Sequence, residues 1–365
     1  MASYVKRGKT WTYIVSFKNE NGEFDKVRKG GFRTKTEATA AARDVESAIA
    51  QGHNPNSKKK LFSDYFKNWM EMYKKPAISE ITYRKYEVAL NTIEQLFPVE
   101  SLEDLTRERY QRALNQYAER VAETTVKRLN SYIKACLSYA IEDRTIFRDP
   151  TFKAVISGNN ARVKKDEAKF LEKAEYDLIM ANLDKRDLTL SKTIVMLAAH
   201  TGARYAEILA FNWSDFNHLD KTLTINKSWQ YKLVPPQYGD TKNKKSRIIP
   251  VSDSLLDFIK CVEEHQVKNN TKSERIIYDT CSNSAVNTYL RKIQTQTGLH
   301  ANQITLHGLR HTHASLLIYA DVNIMIIAER LGHKDVTVTQ TVYAHVLDET
   351  RKRKEEHLRS SLEIF

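Results

Sequence analysis

Residues 306–315 read LHGLRHTHAS, and an apolar run continues from them to Ile318. If a helix begins near Leu309, His307 and Arg310 lie on one side of its first turn. The backbone N–H groups and the dipole of that turn also favour an anion. The stretch therefore predicts a phosphate site at the start of a helix. Taken alone, His307 and Arg310 could instead have a purely structural role.

A second candidate arginine follows a glycine in residues 201–211, TGARYAEILAF. Gly202 lets the chain turn after an apolar helix over residues 194–199, so that Arg204 projects from the start of the next helix. Glu207 lies three residues further on and can hold Arg204 in place. The alternative interpretation is an ordinary surface ion pair, which stabilises a helix by only a few tenths of a kcal/mol.

A lysine-rich turn separates two runs with strand character, residues 222–229 and 247–251. Lys242 lies in this turn. Its side chain is protonated at neutral pH and can donate a proton to a departing alkoxide. Any single lysine in such a turn is also a plausible surface residue, and Lys244 and Lys245 beside it could instead contact backbone phosphates.

The candidate nucleophile lies in residues 331–346, LGHKDVTVTQTVYAHV. Gly332 predicts the end of a helix, His333 comes just beyond it, and Tyr343 follows ten residues later. A phenol with a pKa near about 10 reacts poorly until its proton is removed or its developing charge is stabilised. Because the chain has 18 tyrosines, Tyr343 alone would be interpreted as a packing residue, and its cationic company favours a catalytic role.

Together these side chains form one predicted constellation for chemistry on a phosphodiester. Two guanidiniums can hold the phosphate and offset the added negative charge of a pentacoordinate transition state. Because the sequence shows no carboxylate cluster of the kind that two-metal nucleases require, we expect no metal ion and no other cofactor. The candidate catalytic residues are Arg204, Lys242, His307, Arg310, His333 and Tyr343, with Glu207 in support.

Composition bounds the class of protein. A chain of 365 residues, 41% hydrophobic and 28% charged, is typical of a soluble globular protein with two or three domains. The formal net charge of +13 favours nucleic acid as a partner, although charge alone equally fits a merely basic protein. Three widely spaced cysteines predict a reducing compartment. No run approaches the roughly 20 apolar residues of a membrane span, so we expect a cytoplasmic protein without a membrane partner.

Hydrophobic alternation predicts a small β-sheet and one helix in a first domain, residues 1–56. Alternate side chains over residues 11–17 fall on one face, and extended structure resumes over residues 24–28 after an Asn-Gly turn. The pair Gly30-Gly31 should then break the chain before an alanine-rich helix that ends near Ala50.

A second domain, residues 57–157, is predicted to be all-helical because apolar residues recur at steps of three and four. Four helices are expected, at about 62–75, 80–97, 106–119 and 123–143. A polar linker over residues 158–169 leads to a mixed α/β third domain, residues 170–365. The predicted fold class is therefore mainly α with small β-sheets (α+β).

In order and spacing, four motifs resemble those of tyrosine recombinases, particularly integrases of temperate phages and integrative conjugative elements. The motifs are TGARYAEILAF (201–211), DTKNKKSRIIPV (240–251), LHGLRHTHAS (306–315) and LGHKDVTVTQTVYAHV (331–346). The resemblance extends over the whole chain. Residues 1–52 resemble a three-stranded arm-site-binding domain, residues 57–157 the helical core-binding domain, and residues 165–365 the catalytic domain with its C-terminal tail.

The resemblance implies a site-specific recombinase that integrates and excises a mobile element. Tyr343 would attack DNA to give a 3′-phosphotyrosyl intermediate, while Arg204 and Arg310 hold the scissile phosphate. Because the covalent link conserves the bond energy, strands can be exchanged without ATP.

The resemblance also implies roles for other side chains of the catalytic domain. Lys242 would protonate the leaving 5′ oxygen. His307 would act in proton transfer and His333 would hydrogen-bond the phosphate, but the sequence alone does not divide these roles among the three residues. His311 and His313 are expected to pack within their helix and not to react.

The implied partners are double-stranded DNA at core and arm attachment sites, three further copies of the chain in a homotetramer on DNA, and accessory excision or DNA-bending factors in a bacterial host cell. Residues 346–365 would pack on a neighbouring subunit, or else form an ordinary charged terminal helix. One strand face of the first domain is expected to enter a major groove. The cationic residues expected to contact DNA are Lys6, Arg7, Lys9, Lys26, Arg28, Lys244 and Lys245.

Two other functions compete with this interpretation. A DNA-binding regulator on the same scaffold would need none of the six candidate catalytic residues, all of which are present. A type IB topoisomerase shares the tyrosyl chemistry, but it would relax supercoils without joining two defined sites. A recombinase that only resolves chromosome dimers is less expected, because those proteins usually lack the extra N-terminal domain.

Overall fold

The computed structural model describes residues 2–18, 22–50, 59–161, 170–184, 186–300, 303–344, 346–347, 355–356 and 358–359. The chain divides into two compact units, Met1–Val163 and Lys164–Phe365. Helices dominate both units and the sheets are small, so the predicted fold class is confirmed.

The first unit begins with a three-stranded antiparallel sheet and one helix. These are β1 (Ala2–Arg7), β2 (Thr10–Lys18), β3 (Phe24–Phe32) and α1 (Lys35–Ala50), with β2 in the middle of the sheet. Tyr13 and Val15 of β2 are each 2% exposed and share a small hydrophobic core with Ala42 of α1. The predicted alternation of β2 is therefore confirmed, and α1 covers one face of the sheet.

The predicted break at Gly30-Gly31 is wrong, because β3 runs through both glycines to Phe32. The pairing of β2 with β3 shifts register between Trp11 and Tyr13, as a β-bulge does. A Cβ on Gly30 would lie 2.6 Å from the Thr12 hydroxyl, and Gly31 has a φ of 97°. The two glycines accommodate an irregularity within the strand instead of ending it.

A helical core follows in the same unit. It consists of α2 (Phe62–Trp69), a π-helical turn (Met70–Lys74), α3 (Glu80–Leu96), α4 (Arg107–Ala118) and α5 (Glu123–Glu142). These helices agree with the four predicted ones, apart from the π-helical turn that extends the first. They bury aromatic and aliphatic side chains such as Phe66, Ile93 and Tyr110, each 0% exposed.

The second unit is built on eight helices in the part of the chain that the structure describes. They are α6 (Lys173–Asp184), α7 (Leu190–Thr201), α8 (Tyr205–Ile208), α9 (Asp253–Lys268), α10 (Asn283–Gln296), α11 (Leu306–Tyr319), α12 (Ile324–Leu331) and α13 (Val336–Val342). Helix α7 is buried along almost its whole length and packs against α10 and α11. This packing fixes the start of α8 relative to α11.

Two small sheets lie between α8 and α9. One contains β4 (Phe216–Asn217), β5 (Thr222–Ile225) and β8 (Arg247–Pro250), and the other pairs β6 (Lys227–Trp229) with β7 (Tyr238–Asp240). The predicted single strand over residues 222–229 is wrong, because the chain leaves the first sheet after Ile225 and joins the second at Lys227. Lys242 lies in the turn from β7 to β8.

Helix α11 begins at Leu306, three residues earlier than predicted. Thr305 is its N-cap, and its hydroxyl accepts a hydrogen bond from the Gly308 N–H at 3.4 Å. His307 therefore lies inside the first turn of α11, with Arg310 one turn later.

Several predictions fall on residues outside the described ranges. They concern Asn21 of the first turn, residues 162–169 of the linker and most of the tail over residues 346–365. Among the described residues, no helix has both the length and the apolar character needed to cross a membrane.

Candidate active site

Arg204 lies at the start of α8 and is held from two directions. Gly202 ends α7 with a left-handed φ of 64°, which turns the chain into α8. The Arg204 backbone N–H donates to Glu207 Oε2 at 2.9 Å, and its Nη1 donates to Oε1 at 3.0 Å. Its Nη2 donates to the carbonyl oxygen of Gly332 at 3.0 Å. Glu207 thus fixes the guanidinium against the end of α12.

Arg310, in α11, is 4% exposed, and its guanidinium bonds to two backbone carbonyls. Nη1 donates to the oxygen of Gly202 at 2.7 Å, and Nη2 donates to that of Leu331 at 2.5 Å. Burial, together with the nearby charge of Arg204, lowers the pKa of Arg310 to about 9. The guanidinium remains charged at neutral pH and is oriented before any phosphate arrives.

A third arginine, Arg247 of β8, is not among the catalytic or supporting residues predicted from the sequence. Its side chain is 9% exposed, and its Nη2 and Nη1 donate to the two Glu207 carboxylate oxygens at 2.7 and 3.2 Å. Its Nε donates to the Arg330 carbonyl at 2.8 Å. Burial alone would raise the pKa of Glu207, but its bonds to Arg247 and then to Arg204 lower it below 4.5. Glu207 is therefore an ionised carboxylate between two guanidiniums.

The last carbonyls of α12 explain why these arginines converge. The oxygens of Ala328 and Glu329 accept the N–H groups of His333 and Gly332, and Gly332 has a left-handed φ of 63°. The next three oxygens accept guanidinium donors. The oxygen of Arg330 accepts from Arg247, that of Leu331 from Arg310, and that of Gly332 from Arg204. Cations are favourable at the negative end of a helix, so α12 gathers all three beside His333.

Lys242 is exposed in the turn between β7 and β8, and a hydrogen bond connects this turn to the end of α12. The Thr241 hydroxyl donates to the Lys245 carbonyl at 3.0 Å, and Asn243 Nδ2 donates to the Gly332 carbonyl at 2.9 Å. Burial and the charges of Arg310, Arg204 and Lys242 lower the pKa of His307. Lys242 thus lies within electrostatic reach of His307, while Lys244 and Lys245 are exposed in the same turn.

Tyr343 ends α13 and is only 2% exposed. Burial raises its pKa to about 12, and the nearby charge of Arg310 acts in the opposite direction. Its hydroxyl lies 2.9 Å from His311 Nδ1. The sequence predicts that His311 packs within its helix, yet in the structure His311 directly contacts the candidate nucleophile. The missed signal is its position four residues after His307, which places both histidines on one face of α11.

His333 lies just beyond α12, half-buried beside the arginines. Its Nδ1 lies 2.7 Å from the Thr339 hydroxyl of α13. Burial, then the charges of Arg310 and Arg204, lower the pKa of His333 to about 4. His333 is thus neutral at physiological pH, and its Nδ1 is engaged by Thr339.

The structure brings the six sequence-predicted catalytic residues into one region of the second unit. Contacts to the end of α12 connect Arg204 and Arg310. The charges of both arginines act on His307 and His333, and the charge of Lys242 acts on His307. Arg310 is also close enough to shift the pKa of Tyr343. Among the described residues, no group of three or more histidine, cysteine, aspartate or glutamate side chains has an arrangement that could hold a metal ion.

The cationic residues of the N-terminal sheet divide between its two faces. Strand pairing places Ile14 beside Arg28 and Ser16 beside Lys26, on the face away from α1. Lys6 pairs with Trp11. The Lys35 ammonium of α1 lies 5.8 Å from the centre of the Trp11 ring, so Trp11 and Lys6 are on the side of the sheet that faces α1. By the same alternation Arg7 lies with Lys26 and Arg28, while Lys9 is in the β1–β2 turn.

Three family models match the chain. The model described as the phage integrase family matches residues 169–350. The one described as phage integrase, N-terminal SAM-like domain matches residues 61–117, and the one described as an arm DNA-binding domain matches residues 2–49.

Known proteins are similar over most of the chain. A protein named tyrosine recombinase XerC-like, from Caldanaerobacter subterraneus subsp. tengcongensis, is 24% identical over 395 residues, covering 98% of this chain and 97% of that protein. The Tn1549 transposon integrase, solved in complex with transposon right end DNA, has a TM-score of 0.66 at 14% identity, covering 82% of this chain and 100% of that one. A lambda integrase dimer bound to a COC′ core site has a TM-score of 0.63 at 18% identity, covering 93% of each chain. Both solved structures share the fold described above.

Proposed function

The chain belongs to the phage integrase family of tyrosine recombinases, and we propose that the residues gathered at the end of α12 carry out its DNA strand exchange. It is a site-specific recombinase that breaks and rejoins DNA through a 3′-phosphotyrosyl intermediate and so integrates and excises a mobile element. The observation that carries the residue assignment is the pair Arg204 and Arg310, bonded to adjacent carbonyls of one helix end with Tyr343 in electrostatic reach.

Arg204 and Arg310 hold the scissile phosphate. Each guanidinium has five N–H donors, and the contacts described above engage only part of them. Because these contacts fix the orientation of each fork in advance, the charges need little rearrangement when the pentacoordinate transition state forms. Glu207 and Arg247 keep Arg204 in position without touching the phosphate.

Tyr343 supplies the attacking oxygen. Its attack forms the bond from phosphorus to the phenolic oxygen and breaks the bond from phosphorus to the 5′ oxygen. Lys242 donates the proton that the departing 5′ oxygen needs. His307 and His333 complete the site, with His333 binding the phosphate as a neutral imidazole because its pKa is lowered to about 4.

The remaining assignments concern domains and partners. Residues 1–56 form an arm-site-binding domain, residues 57–157 a core-binding domain and residues 170–365 the catalytic domain, joined by the linker over residues 158–169. The chain acts on DNA as a homotetramer at core and arm sites, with accessory excision or bending factors, in the cytoplasm of a bacterial host. Two of the family models, which match residues 2–49 and 61–117, support the two DNA-binding domains.

Recombination between two defined sites tests this function. A plasmid with the two junctions between the mobile element and the chromosome, placed in the same orientation, is incubated with the full chain in a buffer containing a chelator and host extract. We expect a deletion product that is absent when Tyr343→Phe replaces the native chain. Relaxation of supercoils without any deletion product would instead identify a topoisomerase, and binding without either reaction would identify a regulator.

A further inference from the structure

Among the described residues, the hydrogen-bond partner of the Tyr343 hydroxyl is a histidine outside the six predicted catalytic residues. His311 Nδ1 lies 2.9 Å from that oxygen, and the two rings are 5.7 Å apart between centroids. His311 lies one helical turn after His307 in α11, and those two rings meet edge to face at 5.0 Å. The nucleophile is thus in direct contact with an imidazole nitrogen.

The direction of this hydrogen bond follows from the state of the phenol. Burial raises the pKa of Tyr343 to about 12, so the phenol keeps its proton at neutral pH and donates. Nδ1 of a neutral His311 then accepts, with the ring proton on Nε2. A proton acceptor within about 3 Å of the atom that must lose its proton satisfies the geometric requirement for a general base.

The neighbouring groups are less suited to this task. Lys242 is a donor when protonated, and its proposed role is to give a proton to the 5′ oxygen. His333 directs its Nδ1 to the Thr339 hydroxyl at 2.7 Å. The described contacts place neither of these groups at the Tyr343 oxygen.

We propose that His311 is a further catalytic residue, the general base that takes the Tyr343 proton as the phenolic oxygen attacks phosphorus. The inference rests on the proposed function of Tyr343. In the step, the O–H bond of Tyr343 breaks and its proton moves to Nδ1. The bond from phosphorus to the phenolic oxygen forms, the bond from phosphorus to the 5′ oxygen breaks, and that oxygen takes a proton from Lys242. On rejoining, the 5′ hydroxyl gives its proton back to Lys242 as its oxygen bonds to phosphorus, the bond from phosphorus to the phenolic oxygen breaks, and His311 returns its proton to the phenol.

His311 lies among other residues of the proposed site. Arg310 precedes it in α11, His307 lies one turn before it, and His333 couples to it electrostatically from beyond α12. Because His311 Nδ1 lies 2.9 Å from the Tyr343 hydroxyl, the same nitrogen can take the proton during cleavage and return it during rejoining.

The experiment compares His311→Asn with the native chain. Asparagine can place Oδ1 near the position of Nδ1 and accept the phenolic hydrogen bond, but it takes up no proton. The probe is a duplex oligonucleotide that carries the junction sequence with a nick next to the cleavage position, and the readout is the initial rate of covalent adduct formation. We expect His311→Asn to form the adduct at least about 100-fold more slowly at pH 7, with unchanged retention of the DNA in a gel.

A second substrate distinguishes a general base from a general acid. In it, sulfur replaces the bridging 5′ oxygen, so that the leaving thiolate departs without a proton. Lys242→Ala should regain most of its lost rate on this substrate, whereas His311→Asn should stay at least about 100-fold slow. Recovery of His311→Asn on the sulfur substrate would make His311 an acid and would overturn the proposal.

The controls distinguish a chemical role from a structural one. His265→Asn makes the same substitution at an exposed histidine of α9, beside Glu263 and Glu264, and should cleave like the native chain. If His311→Asn melts at a lower temperature than the native chain, His311→Gln is measured in its place. A fully active asparagine or glutamine variant shows that a hydrogen bond suffices and contradicts the proposal. If the native chain itself forms no adduct, or Tyr343→Phe does, the proposed function fails instead.

Discussion

At the scale of single residues, Arg310, to which we assign a catalytic role, also has a structural one. It is buried, and it bonds to the carbonyls of Gly202 and Leu331 while its charge reaches Tyr343. A lysine keeps the charge but loses the planar fork, so it can satisfy only one of the two carbonyls well. The residue therefore connects the end of α7 to the end of α12 at the candidate active site.

We predict that Arg310→Lys lowers the rate of covalent adduct formation by about 100-fold or more, and lowers the free energy of unfolding by about 1–3 kcal/mol because a buried carbonyl loses its partner. Adduct formation and urea unfolding measure the two effects separately. Arg291→Lys, at an exposed position of α10, is the control and should leave the free energy of unfolding unchanged. A fully stable Arg310→Lys variant would show that the two carbonyl contacts contribute little.

His313 gives a residue-scale prediction for pH. Its Nδ1 lies 2.9 Å from the Ala199 carbonyl and its Nε2 accepts from Arg330 Nε at 2.9 Å. Burial, then the charge of Arg330, lower the pKa of His313 to about 3 from the ordinary 6.5. The folded chain therefore takes up this proton less readily than the unfolded chain, and stability present above pH 6.5 is lost as the pH falls towards 3.

We predict that the urea midpoint of the native chain falls between pH 7 and pH 5, with His313 contributing up to about 1.4 kcal/mol per pH unit. His313→Gln removes the titrating group, so its midpoint should depend less on pH over the same interval. Equal pH dependence of the two chains would mean that this imidazole is not protected from protonation in the folded state.

At the scale of elements, the end of α12 organises the site. Gly332 terminates the helix in the left-handed conformation, and its carbonyl accepts donors from Arg204 and Asn243. A Cβ at Gly332 would lie 2.7 Å from Nη1 of Arg247, whose side chain is pinned by Glu207. The position therefore requires glycine for two reasons, backbone conformation and close approach.

Gly298 provides a matched comparison, since its φ is 84° and nothing lies within 4 Å of an added Cβ. Alanine at either glycine should cost about 1–2 kcal/mol for the left-handed backbone. We predict that Gly332→Ala costs more than Gly298→Ala and also slows adduct formation, because Arg247 must move and release Glu207. Equal effects of the two substitutions on stability and cleavage would contradict this account of Arg247.

The same elements show what the sequence could predict. Periodicity identified the four helices after residue 60 and the buried face of β2, because each depends on local spacing. It misplaced the end of β3, since glycines that bend a strand resemble glycines that end one. It joined β5 to β6, because sheet membership depends on distant partners. Arg247 and His311 were missed as site residues for the same reason, as their partners lie 40 and 32 residues away.

At the scale of the whole molecule, the cationic residues that give the chain its formal charge of +13 lie in different environments. The three arginines at the end of α12 are buried or half-buried and hydrogen-bonded, whereas Arg7, Lys26 and Arg28 are exposed on the face of the N-terminal sheet away from α1. Exposed cations that meet phosphates release counterions, so their contribution weakens with salt. The N-terminal sheet thus supplies a separate DNA-binding surface in the proposed function.

We predict that deleting residues 1–52 abolishes binding to arm-site DNA yet spares cleavage of a core-site duplex. In the full chain, Lys26→Glu with Arg28→Glu should weaken arm-site binding by about tenfold or more at moderate salt. Lys6→Glu reverses one charge on the helix side of the sheet and should weaken arm-site binding less than Lys26→Glu alone, which makes the same change of charge. Parallel loss of arm binding and core cleavage on deletion would count against an independent role for this domain.

In the proposed reaction, the Tyr343 oxygen becomes joined to DNA. The most direct measurement is incubation of the full chain with a nicked core-site duplex, digestion of the trapped adduct and peptide mass spectrometry. We expect the DNA remnant on the peptide that contains Tyr343, and no adduct with Tyr343→Phe. A remnant on another residue, or an adduct that persists in Tyr343→Phe, would contradict the account.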